Sequence, residues 1–235
     1  TNGYDMNNLK DIVEIPIYAI PEWTMKTSLG DYSEKAMQQF SMLAYDTPET
    51  VIKISDYNKV AALYGNEQYS LNDDEYMVLC DFEQMINIRD EALKQNSNIE
   101  INGKTYHAKY KECKDGFVLM STSNMNAGII LVPDSFEIKE ENTEQYFLAA
   151  NYNAETEEEK IELNNVLAGE VDSELFDNLS EKEINLEGMT KISLTEASKG
   201  LSTIIIFIAI YLGIVFLIAS SAILALKQLT ESSDN

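Results

Sequence analysis

LSTIIIFIAIYLGIVFLIASSAILAL, residues 201–226, is a run of 26 residues without a charge, bounded by Lys199 and Lys227. As a helix rising roughly 1.5 Å per residue it reaches about 39 Å, against about 30 Å for the hydrocarbon core of a bilayer. The run can therefore cross a membrane, with tilt or with one end protruding. The alternative, a buried core helix, usually stops sooner and carries polar residues on some face. Its late position excludes a signal peptide. The polar residues that follow, KQLTESSDN, argue against a lipid-anchor signal whose apolar tail is removed.

Outward from the run, the sequence changes character. The whole chain has 235 residues, 45% hydrophobic and 24% charged, which fits a globular protein and neither a disordered nor a collagen-like one. Charge departs from the average: 17 Lys and Arg stand against 40 Asp and Glu, a formal net charge of -23. Of these, 38 acidic and 16 basic residues lie in residues 1–200, a stretch ample to bury a core. So acidic a surface repels phosphate backbones, which excludes nucleic acid as a partner. The single lysine at each end of the apolar run leaves its orientation open to either sense.

Residues 1–200 read as a mixed α+β domain, 201–226 as a transmembrane helix and 227–235 as a short polar segment. Strand-like runs occupy 50–54, 76–80, 117–120, 128–132 and 146–150. Between IEI (99–101) and KTYHA (104–108), Asn102-Gly103 predicts a two-residue hairpin, because both residues accept the positive φ of a type I′ turn. Ser55 is placed to cap a helix whose Tyr57, Val60, Ala61 and Tyr64 form one apolar face, with Gly65 to end it. Over 83–95, Met85, Ile86, Ile88, Ala92 and Leu93 mark an apolar stripe that leaves Arg89, Asp90, Glu91 and Lys94 to solvent. Thr156-Glu157-Glu158-Glu159 is a capping box, with Leu163, Val166 and Leu167 on the apolar side of its helix and Gly169 at its end. Residues 32–44 read as a helix, preceded by an irregular lead-in holding Pro16, Pro21 and Trp23. One unbroken helix is expected over 195–226, with no proline after Pro133 to interrupt it.

Chemical signatures are absent. There is no phosphate-cradling GxxxxGK[ST], no GxGxxG, HExxH or GxSxG, and no calcium-loop ladder, so neither catalytic residues nor a cofactor is expected. Asn72-Asp73-Asp74-Glu75 lacks the glycine and distal glutamate of a calcium loop and reads as a polar turn before a strand. His107 fits cross-strand packing in the hairpin better than ligation, and Trp23 a core or rim anchor better than a ligand platform. Cys80 and Cys113 have no metal-ligand spacing. They can pair if the domain faces an oxidising exterior, although a buried free thiol is the commoner state in apolar surroundings. Residues 140–190 hold 15 Asp or Glu against 2 Lys, which reads as a solvated helix face or as a docking face for a cationic ligand. In the apolar run, Ala209 and Gly213 form a small-xxx-small pair able to seat a neighbouring span.

Several segments, in order, resemble a family. ISDYNKVAALYG (54–65), LNDDEYMVL (71–79), FEQMINIRDEAL (82–93), IEINGKTYHAKY (99–110), GIILVPD (128–134) and KQLTESSDN (227–235) after the apolar run are similar to FtsX-like ABC-transporter permeases of the Bce type, the antimicrobial-peptide transporters of Gram-positive bacteria. The likeness covers most of 50–134 and 195–235, and residues 1–49 and 135–194 lie outside it. It implies that residues 1–200 are extracellular and 227–235 cytoplasmic, and that further spans lie outside this sequence. It also implies that ATP is hydrolysed on a separate ATP-binding subunit. The function implied is removal of cell-envelope-targeting peptide antibiotics, cationic or lipid-bound, with signalling in many cases through a sensor histidine kinase. A second reading from the residues is a single-span, surface-anchored binding or scaffold protein without transport activity. Encoding DNA that continues into more spans beside an ATPase gene separates the two.

Overall fold

The computed structural model describes residues 5–41, 43–95, 98–170 and 189–233. The chain divides into two compact units at 186/187. Among the described residues, the first is a mixed α+β unit on a seven-stranded sheet. Its strands are β1 (Leu9–Thr24), β2 (Pro48–Lys53), β3 (Glu75–Leu79), β4 (Asn98–Ile101), β5 (Lys104–Ala108), β6 (Ile129–Val132) and β7 (Thr143–Tyr152), in the order β4-β5-β3-β6-β2-β1-β7. Helices α1 (Met25–Leu29), α2 (Ser33–Gln39), α3 (Ile54–Tyr64), α4 (Glu83–Gln95) and α5 (Glu157–Glu170) follow from the intervening sequence.

Period-two alternation explains why the central strands read as unbroken apolar runs: both faces are covered. Ile52, Met77, Leu79 and Leu131 pack on one face with Ile15, Ile17 and the Tyr57, Val60 and Ala61 stripe of α3. Their neighbours Val51, Tyr76, Val78, Ile130 and Val132 pack on the other with Trp23, Leu93, Tyr106 and Phe136. Leu29, Tyr32, Ala36, Met85, Ile88 and Ala92 join α1, α2 and α4 in a third cluster. The hairpin is present as expected: β4 and β5 pair antiparallel from Asn98–His107 to Ile101–Lys104, with φ of 53° at Asn102 and 74° at Gly103.

Four local expectations are corrected. The lead-in with Pro16 and Pro21 is not irregular but belongs to the 16-residue β1. Pro16 pairs with Tyr146 beyond the last β2 partner of β1, at Tyr18, and Pro21 stands where the β1–β2 register slips between Ala19 and Thr24. At such places a missing N–H breaks no ladder bond. Residues 117–120 are not a strand, because both edges of β3 are taken by β5 and β6; Val118 is buried as a single anchor instead. The helix over 32–44 stops at Gln39, where the chain turns and Tyr45 donates to the Phe40 carbonyl at 3.0 Å. Ser55 does not cap α3. The helix starts at Ile54, and the Ser55 N–H is met by Asp134 Oδ1 at 3.2 Å, a cap delivered from 79 residues away.

In α5 the capping box is closed in both directions: Glu159 N–H donates to Thr156 Oγ1 at 3.2 Å, and Thr156 N–H to Glu159 Oε2 at 3.1 Å. The helix extends past Gly169 to Glu170. On its apolar side Leu163 is half-buried and Val166 exposed, and Asn164 is buried with a 3.0 Å bond from Tyr152.

The second unit holds α6 (Lys191–Ser233), 43 residues without a break, through Gly200 and Gly213. It contains the whole of the expected helix over 195–226. Thr190 caps it through a 3.1 Å bond from Ser193 N–H. Ile204, Phe207, Ile210, Phe216, Leu217 and Leu224 are all more than half exposed, so no face of the apolar stretch is covered within its own unit. By length and composition α6 is able to cross a membrane. The acidic stretch 140–190 falls partly on 171–188, outside the described residues.

Candidate functional site: an apolar and acidic sheet edge with a buried ion pair

At the β1–β7 end, one sheet face is left uncovered among the described residues. Ile15 and Phe147 point into the core, and the alternation then puts Glu14, Pro16, Tyr146 and Leu148 on the opposite face. The pairs Glu14–Leu148 and Pro16–Tyr146 set these side chains next to one another. Tyr146 is 66% and Leu148 47% exposed, with Ile12, 43% exposed, on the same two-stranded ribbon. Glu144 is exposed on β7, and Glu140 and Glu141 lie in the 3-10 turn before it. Among the described residues β7 is the last strand of the sheet and pairs only with β1. Exposed aromatic and aliphatic groups ringed by carboxylates suit an amphipathic cation, through burial of its apolar part and attraction of its charge.

Cavities offer much less. A cleft of about 70 Å³ between Ile20, Glu22, Asn102, Glu137, Lys139 and Glu141 is far below the roughly 300 Å³ of a small-molecule pocket. A void of about 10 Å³ beside Tyr76, Ser28 and Arg89 has room for about one water.

Behind the sheet lies its one strongly charged interior feature among the described residues. Arg89 was expected in solvent; it is 2% exposed and forks onto Glu49, Nη1 to Oε1 and Nη2 to Oε2, each at 2.9 Å. Its Nε donates to the Ala127 carbonyl at 2.6 Å. Burial opposes the guanidinium charge, but the charge and hydrogen bonds of Glu49 outweigh that and hold its pKa above the usual value. Gly128, at φ 148°, lies so close that a Cβ there would overlap the guanidinium. The signal was present in the sequence. Positions 85, 88, 89, 92 and 93 are spaced i, i+3, i+4, i+7 and i+8, so Arg89 stands inside the apolar stripe rather than beside it.

The remaining candidates fall into place around this frame. Trp23 is fully buried, donates Nε1–H to Ser28 Oγ at 3.0 Å and packs edge-on against Tyr76 at 5.5 Å: a core anchor. His107 is exposed and cross-strand bonded to Asn98 at 2.8 Å. Asn72–Glu75 forms a polar turn, in which Asn72 N–H donates to Glu75 Oε2 at 2.8 Å and lowers the Glu75 pKa. Among the described residues no group of three or more His, Cys, Asp or Glu is arranged to hold a metal ion. Ala209 and Gly213 both face outward on α6.

Cys80 and Cys113 are both free thiols, and the fold brings them together. Cys80 N–H donates to the Lys114 carbonyl at 3.0 Å, Leu79 and Lys114 form a parallel bridge, and both cysteines pack against the same side-chain cluster.

Comparison with known proteins finds no matching protein family, no matching curated protein and no matching solved structure.

Proposed function

We propose that this chain supplies the external, substrate-sensing and coupling part of an FtsX-like ABC-transporter permease of the Bce type, acting on peptide antibiotics that target the cell envelope. On this reading α6 spans the membrane, the α+β unit lies outside, and the residues after Leu226 enter the cytoplasm. A separate ATP-binding subunit hydrolyses ATP, and a sensor histidine kinase is a further partner. The observation that carries the reading is the uncovered β1–β7 face, where Tyr146, Leu148 and Ile12 lie among Glu14 and Glu144 in a chain with a net charge of -23. Such a face attracts a cationic amphipathic peptide over distance and holds its apolar side on contact. Support also comes from the ordered sequence likeness over 50–134 and from a helix that continues unbroken from Lys191 to Ser233. A continuous helix carries displacement from one end to the other, where a Gly/Ser linker would uncouple them.

The test is titration of the full chain, in nanodiscs of zwitterionic lipid, with several cationic envelope-active peptides at low and high salt. Binding that weakens as salt rises, and weakens further in Tyr146→Ser/Leu148→Ser, supports the reading. No binding at either salt, while the assembled transporter still confers resistance, removes the sensing role from this unit and makes its acidity a solvated exterior.

A further inference from the structure

The two cysteines have no part in the face described above, yet their placement is specific. They are the only sulfhydryls in the chain, 33 positions apart, and the backbone beside Cys113 holds that of Cys80. Cys80, at the end of β3, is 2% exposed; its thiol donates to the Asn126 carbonyl at 3.2 Å and its N–H to the Lys114 carbonyl at 3.0 Å. Cys113 is half-buried, with its N–H fixed on Asp90 Oδ1 of α4 at 2.7 Å. The single Leu79–Lys114 bridge sets the two stretches side by side, and both sulfurs reach the third core cluster. Cys113 is thus the more accessible residue of the two and Cys80 the buried one.

We propose that Cys80 and Cys113 form a thiol–disulfide exchange site that takes a small, low-molecular-weight disulfide as its co-substrate and closes to an intramolecular disulfide. Exposure assigns the order of events. Cys113 first loses its proton to solvent. Its thiolate attacks one sulfur of the small disulfide; that S–S bond breaks, a mixed disulfide forms on Cys113, and a small thiolate leaves and takes the Cys80 proton. The Cys80 thiolate then attacks the Cys113 sulfur, the mixed disulfide breaks, and a second small thiolate departs and is protonated by solvent. In balance, the two protein thiols lose two electrons and two protons, and the small disulfide gains them as two thiols. Cys113 and the nearby Arg89 charge hold the Cys80 thiol below its usual pKa against the opposing effect of burial, which suits Cys80 to the second, resolving attack; Cys80 and burial push Cys113 up, so its attack is the slow step.

The full chain in detergent micelles, incubated with oxidised glutathione, tests this by intact mass and peptide mapping. The native chain is expected to lose two hydrogens, lose both titratable thiols and yield a cross-linked 80–113 peptide. The variant Cys80→Ser, which lacks the resolving sulfur, is expected to accumulate a stable glutathione adduct on Cys113, and Cys113→Ser to stay largely unreacted because its one thiol is buried. The proposal is overturned if the native chain keeps both thiols free, or builds up the Cys113 adduct instead of the cross-link. The native-chain result decides this even if a serine variant does not fold.

Discussion

Removing the Glu49 carboxylate strands the Arg89 guanidinium in the interior with only the Ala127 carbonyl as a bonded partner among the described residues. Breaking one side of a buried ion pair costs about 3–5 kcal/mol, whereas replacing both sides by apolar groups of similar volume is often neutral. Glu49→Ala should therefore lower the denaturant midpoint steeply, and Glu49→Leu/Arg89→Met should regain most of the loss in the same measurement. A double variant as unstable as the single one shows that the fork does more than satisfy itself. Titration offers a second test. In Glu75 the Asn72 N–H bond favours the ionised form, so the folded pKa lies below the unfolded one. The stabilisation is present above the unfolded pKa of about 4.3 and is lost as pH falls through the folded pKa. The stability gap between native chain and Glu75→Gln, followed by urea denaturation, should be full at pH 7 and close in acid. Tyr57 titrates in the opposite region. Burial, with the charges of Asp115 and Glu67, pushes it up to about 12, so stability should fall as pH rises from about 10, where the unfolded tyrosine ionises. Phenolate absorbance during an alkaline titration reports the delayed ionisation. At this scale the sequence held more than was drawn from it, since the spacing of Arg89 placed it in the stripe, but nothing local could name Glu49, 40 residues away, as its partner.

Elements were legible where their determinants are local. The Asn102-Gly103 hairpin, the α4 stripe and the Thr156 capping box each depend on residues within a few positions, and each formed. Where the determinant is distant the sequence misled, as with the Ser55 cap, which Asp134 displaces from across the fold. Two substitutions separate these sources. Asp134→Ala should destabilise the protein by about 1 kcal/mol, the usual worth of an N-cap, while Ser55→Ala should cost clearly less, both read from thermal or urea denaturation. The reverse ranking restores Ser55 as the cap. β1 shows the same logic, because Pro16 and Pro21 argued against a strand until its partners and their slipped register were known. Residues 117–120 failed for the converse reason: their apolar, β-prone character found no free strand edge.

At the scale of the whole chain, two opposed surfaces belong to one molecule: a carboxylate-rich α+β unit and a helix apolar on every side. In a cloud-point phase separation the full chain should enter the detergent-rich phase, and Ile206→Lys/Val215→Lys should return it to the aqueous one; an aqueous native chain removes the basis for a span. The apolar run made that duality plain from sequence alone, whereas the uncovered β1–β7 face was hidden, because it arises from pairing between residues 9–18 and 143–152. That pairing also sets a clock on the protein's making. β7 is completed some 128 residues after β1, which at ribosomal rates of about 5–20 residues per second is roughly 6–26 s. Through that interval β1, an apolar ribbon, keeps one side open. Partner closure across so long a loop is slow in itself, so any delay before residue 152 is delivered lengthens a period of hazard for self-association.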